Sequence, residues 1–282
     1  MRPRLFLLSA AAVCAAVHVA GVLTARPIWR YAEVLSVGLL LAHAMVSRSP
    51  VSRWALGVSL AILLADAVRT MPTARDSAGY GVQMLTPGPA PETPSAFESG
   101  LSLCWASLTV VLVLLVAFRR GGWRWRTAVP AVVGAALVIG YAAVRVVATW
   151  LTAAAEPPRA SDTDVADLTT AVSMAVLPPL VLGIAALALA SALLGHGRRL
   201  ASTGAALLAL MALPLMDSGI AVVPMPLHLW SDNVGFFWDA VTPTLSMPQP
   251  MPALTAMAEL TAYLLLVVGL TEPAGERHRA VS

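Results

Sequence analysis

Apolar runs about twenty residues long recur eight times along this chain, and few folds accommodate such a pattern. They fall at about 5–23, 31–47, 54–70, 100–118, 127–151, 168–195, 201–222 and 253–271. A helix rises about 1.5 Å per residue, so twenty residues cover the roughly 30 Å hydrocarbon core of a bilayer. Of the 282 residues 58% are hydrophobic and only 12% charged, against about 25% charged in soluble domains. Such a chain has too little polar surface to face water on all sides. The expected fold is all-α: a polytopic integral membrane bundle of about eight transmembrane helices, one transmembrane domain over residues 1–282. The opening MRPRLFLLSAAAVCAAVHVAG has the charged start and apolar middle of a signal peptide. Leu5 to Leu23 is nearly long enough to span, however, and many spans follow, so it reads as a retained first helix. The second and third runs are short, and a hairpin that does not fully cross would leave six spans.

Charge placement predicts the orientation. All eighteen basic residues are arginine. With a cytoplasmic N-terminus and eight spans, Arg2, Arg4, Arg48, Arg53, Arg119, Arg120, Arg124, Arg126, Arg198, Arg199, Arg277 and Arg279 lie inside; Arg26, Arg30, Arg69, Arg75 and Arg159 lie outside. That is the positive-inside bias, and it places both termini in the cytoplasm of a multi-pass protein of the cell (plasma) membrane. Every tryptophan except Trp105 falls at or beyond a proposed span end, where an amphipathic ring prefers the headgroups. The net charge of +3 does not point to nucleic acid, because the arginines sit in short loops where they orient the chain. The partner that the composition requires is the lipid bilayer.

Two extracytoplasmic segments exceed simple turns. Residues 71–99 contain Pro87, Pro89, Pro91 and Pro94, which cannot sustain a regular helix. In the segment 223–252, Leu227, Trp230, Val234, Phe237 and Val241 recur at helical spacing, as in a helix lying in the membrane interface; packing of that face on the span ends explains the spacing equally well. Either segment offers a surface for a protein partner. SRWALGVSLAILLADAVRTMP and RRLASTGAALLALMALPLMDSGIAVVPMP each lead into a Pro-rich loop, a further span and a basic stretch. A 4+4 parallel repeat would produce that pattern. Chance likeness between alanine- and leucine-rich helices would produce it too.

Ionisable residues inside the spans are the informative ones, since charge at mid-bilayer costs about 2.5–3.5 kcal/mol even on the lenient insertion scale. His18, Glu33, Asp66, Arg145, Asp217 and Glu259 all fall in the outer half of the predicted membrane, and only His43 near the cytoplasmic end. Three readings fit. The six line a water-accessible outward cavity in which the carboxylates share Arg145 and His18; or Arg145 locks two helices through one carboxylate; or the side chains simply reach the headgroups. Cys14 and His18, four apart on one helix face, and Met225 and His228 in an outer loop are weaker candidates for a soft metal ion such as Cu(I). Methionine packing and a structural histidine account for the same residues. Pro178 and Pro179 should break the ladder of the sixth span and leave a kink or hinge.

No phosphate-binding glycine loop, H-E-x-x-H zinc motif or G-x-S-x-G nucleophile elbow occurs, which removes any positive reason to name an enzyme or a cofactor. The leading functional expectation is a transporter or permease built around Asp66, Arg145, Asp217 and Glu259, with His18 and Glu33 beside them and the substrate unknown. A proton is a candidate coupling ion, because a carboxylate in a poorly solvated site can titrate towards neutrality. Two alternatives stand. One is a non-catalytic assembly or scaffold subunit, metal or copper handling included; the other is a membrane enzyme acting on a lipid-linked substrate, with the same acids in its chemistry.

Overall fold

The computed structural model describes residues 3–24, 26, 29, 31–46, 50–71, 93–118, 125–155, 162–223 and 250–271. Eight helices account for nearly all of them: α1 (Pro3–Leu23), α2 (Tyr31–Met45), α3 (Pro50–Arg69), α4 (Thr93–Phe118), α5 (Trp125–Ala155), α6 (Asp162–Gly195), α7 (Arg199–Val222) and α8 (Pro250–Thr271). The fold is a helical membrane bundle. The helix at 227–241, most of the Pro-rich segment 71–99, and Met225 and His228 lie outside the described residues.

Among the described residues six helices, not eight, are long and apolar enough to cross a membrane: α1 and α4 to α8. The other two helices are α2 and α3. With fifteen residues α2 reaches about 22 Å, short of a hydrocarbon core. Within α3 stand Arg53, Asp66 and Arg69. The two helices pack on each other as a hairpin, and because a hairpin returns the chain to its starting side, the remaining helices keep the same polarity with six spans as with eight. The Pro-rich segment also ends earlier than expected. Thr93 and Pro94 open α4, because the first turn of a helix has no backbone donor to lose to proline.

The helices close into a circuit in which α1, α2, α3, α4, α6, α7 and α8 each pack on the next and α8 returns to α1. Outside that circuit stands α5, against α6 and α7, with Val132, Leu137, Val144, Val147 and Leu151 exposed along its length. Consecutive helices neighbour one another in both halves, but α1 closes the circuit while its counterpart α5 does not. The two sets of four are therefore not equivalent at their first helices.

Lipid is as apolar as leucine, so the bundle depends on close packing of small residues rather than on a hydrophobic force between helices. A Cβ on Gly204 of α7 would stand 2.6 Å from the Ala262 carbonyl oxygen of α8, and one on Gly269 of α8 would overlap the backbone nitrogen of Ala201. Hydroxyls add cross-links: Ser36 donates to the Ala11 carbonyl at 2.9 Å, joining α2 to α1, and Ser202 to the Ala190 carbonyl at 2.8 Å, joining α7 to α6. At the end of the bundle where α1 begins, Arg4 donates to the Val46 carbonyl just beyond α2, and Arg198 to the carbonyls of Gly269 and Leu270. Each guanidinium satisfies carbonyls left orphaned at a helix C-terminus. Gly197, at φ +74°, turns the chain from α6 into α7, with the Arg198 N–H donating to the Leu193 carbonyl.

α6 is helical from Asp162 to Gly195, through Pro178 and Pro179. Pro179 has no N–H to donate to the Ala175 carbonyl one turn back. Two glycines enclose that carbonyl instead. A Cβ on Gly100 of α4 would overlap it, and one on Gly219 of α7 would stand 3.1 Å away, so a glycine Cα hydrogen points at the oxygen from each side. Such contacts are the weak donors that helix interfaces use.

Candidate functional site

At the end of the bundle where α1 finishes and α2 begins, polar side chains from five helices face one cavity of about 110 Å³. They are His18 of α1, Glu33 of α2, Asp66 of α3, Ser107 of α4, and Glu259 with Tyr263 of α8. Each arrives by helical register. Asp66 stands one turn before the end of α3, and His18 just over a turn before the end of α1. Glu259 lies deeper, nine residues or about 14 Å from the start of α8, and Tyr263 follows one turn on along the same face.

Hydrogen bonds order this chamber. Tyr263 donates to Ser107 Oγ at 2.7 Å, and Ser107 donates to Glu259 Oε1 at 2.8 Å, a relay that joins α8 to α4. Trp105, two residues before Ser107, donates its indole N–H to Asp66 Oδ1 at 2.8 Å, and the Arg69 guanidinium lies 5.6 Å from the centre of the Trp105 ring. His18 Nε2 stands 3.6 Å from Glu33 Oε2; the histidine is almost enclosed and the glutamate one-third exposed.

A second, larger cavity of about 650 Å³ adjoins the first and shares His18, Glu33, Leu103, Ala256 and Glu259 with it. Thr70, Asp217, Ser218 and Thr255 add polar groups there, and Val22, Pro214, Ala221 and Pro252 an apolar wall. Together the two form one polar recess among apolar helices, narrow at the Glu259 end and wide towards Asp217.

The structure divides the six residues singled out in the sequence. His18, Glu33, Asp66 and Glu259 meet in the inner chamber, and Asp217 borders the outer one. Arg145 lines neither. Its Nε lies 2.7 Å from Asp217 Oδ1, a charge contact rather than an aligned hydrogen bond, with both side chains about 40% exposed. Tyr141, one turn before Arg145, donates to Asp217 Oδ2 at 2.7 Å. Arg145 is thus the partner of one carboxylate, a lock between α5 and α7, and the expectation that four carboxylates share it is corrected.

Four participants escaped the sequence reading: Ser107, Tyr263, Tyr141 and, in its role, Trp105. Signals existed for three. Tyr141 and Tyr263 each stand one turn from a membrane-embedded charge, and Trp105 is the one tryptophan placed well inside a span. Ser107 is an ordinary helix serine and carries no such mark. Cys14 is partly buried and Cys104 buried, both as free thiols. Among the described residues no group of three or more His, Cys, Asp or Glu side chains is arranged to hold a metal ion. His43 is buried at the opposite end of the bundle, its Nε2 3.4 Å from Thr271 Oγ1.

Fold and site together define a multi-pass helical membrane protein with an acidic recess at one end. The chain matches no protein-family model, no curated protein and no solved structure.

Proposed function

We propose that the chain is a transporter or permease of the plasma membrane, with both termini cytoplasmic and the recess opening to the outside. One observation carries the reading: six helices contribute ionisable or hydroxyl side chains to a connected recess inside an otherwise apolar bundle. Ionisable groups at membrane depth are expensive, and where they converge on a cavity a solute path is their usual reason. The arginine distribution supports a cytoplasmic side at the end away from the recess, where Arg4 and Arg198 gather.

The lining suits a positively charged or hydrogen-bond-donating solute better than an anion. Glu33, Asp66, Asp217 and Glu259 supply four carboxylates, while His18 is the one basic side chain among the residues lining the two cavities. In this reading Glu259 and Asp66 bind, and the Arg145–Asp217 contact sets how α7 sits beside the outer chamber.

Complementation tests the proposal. Asp217→Asn and Glu259→Gln should fail to restore whatever a deletion of the gene loses, although both proteins reach the membrane in wild-type amounts. Full restoration by both variants would remove the recess from the function.

A further inference from the structure

The hydrogen-bond inventory of the inner chamber is one-sided. Tyr263 commits its O–H to Ser107, Ser107 its O–H to Glu259 Oε1, and Trp105 its N–H to Asp66. Each of these groups has a single polar hydrogen, so what they and the two acids still offer an occupant is acceptor capacity.

The charge balance is one-sided as well. Asp217 has Arg145 and Glu33 has His18, whereas Asp66 and Glu259 make no ion pair among the described residues. Two carboxylates at one small chamber in a low-dielectric bundle call for a positive charge between them. The outer chamber, about six times larger and partly walled by Val22, Leu103, Pro214 and Pro252, has room for an uncharged body attached to that charge.

We infer that the solute is a small organic amine in its cationic form, its ammonium seated between Asp66 and Glu259 and its body in the outer chamber. A primary ammonium brings three N–H donors to a site rich in unused acceptors. A bare alkali ion would use the same oxygens but leave the outer chamber without a role. The inference rests on the transport reading and names its solute class.

The probe is 2-phenylethylammonium, titrated calorimetrically into the full chain purified in detergent, with uncharged 2-phenylethanol as its counterpart. The ammonium should bind saturably and at least about tenfold more tightly than the alcohol. Asp66→Asn and Glu259→Gln should each weaken it about tenfold or more, and Glu98→Gln, on the exposed face of α4, should leave it unchanged. Tyr263→Phe removes no charge and should weaken binding less than Glu259→Gln does, which separates the carboxylate from mere packing. Both charge-removing variants should elute and melt as the wild type does, since they relieve an unmatched charge. Equal affinity for the alcohol, undiminished binding by both Asp66→Asn and Glu259→Gln, or full displacement of the probe by an equal concentration of sodium chloride would each overturn the inference. Absence of binding overturns it too, and leaves the transport reading to the complementation result, which uses no probe.

Discussion

At the scale of single residues, the recess separates carboxylates that have a cation from carboxylates that do not. Asp217 touches Arg145 and accepts from Tyr141; among the described residues Asp66 accepts from the Trp105 indole, and Glu259 from Ser107 and, at 3.4 Å, from Tyr263. The difference has opposite consequences for stability. Removing Asp217 strands a guanidinium inside a helix that faces lipid, so Asp217→Asn should lower the melting temperature in detergent, and Arg145→Gln on top of it should recover part of the loss. The coupling expected in that double-mutant cycle is about 1 kcal/mol, because both side chains are partly exposed. An additive cycle would show that the pair is not a lock. Tyr141→Phe, which removes one hydrogen bond to a charged acceptor, should cost about 1.5 kcal/mol in the same assay.

Between elements, backbone contact sets the spacing, and small residues permit it. At Gly100 and Gly219, α4 and α7 close over the Ala175 carbonyl that Pro179 leaves without its helical donor. Gly100→Ala forces a methyl into that backbone and should destabilise the protein by about 1–3 kcal/mol, the range for overpacked cores. Gly140 of α5 is the control, since a Cβ there meets nothing within 4 Å. Gly140→Ala should be neutral or stabilise by up to about 1 kcal/mol through helix propensity. Thermal melts of the two variants side by side check both statements, and equal melting temperatures would refute the packing account. Trp105 and Ser107 lie within two turns of Gly100, and Asp217 two residues before Gly219. Where α4 and α7 press on α6 therefore also fixes the height of the recess residues.

For the molecule as a whole, the question is which helices meet lipid and on which side the recess opens. Among the described residues six helices meet the length and composition of a span, and α2 and α3 contribute Glu33 and Asp66 to the chamber. In a variant with Cys14 and Cys104 replaced by serine, a cysteine at position 282 should react with a membrane-impermeant maleimide only after the cells are opened. A cysteine at position 75 should react in intact cells. Labelling of position 282 in intact cells would invert the orientation and place the recess on the cytoplasmic side.

Much of this architecture is legible along the chain because lipid imposes a composition rule that reads locally. An apolar run of sufficient length needs no knowledge of its neighbours, so the eight helices follow from hydropathy. The span count required more: α2, with fifteen residues, falls a few ångströms short. The depth of His18, Glu33, Asp66, Asp217 and Glu259 was likewise visible, because helical rise converts position into height. Direction around the helix axis was not. That Arg145 turns to Asp217 alone, that Ser107 reaches Glu259 across 152 residues of sequence, and that Asp66 and Glu259 are left facing one chamber depend on how helices rotate and close into a circuit. Rotation is set by interhelical packing of small side chains, a property of pairs of helices rather than of any one of them.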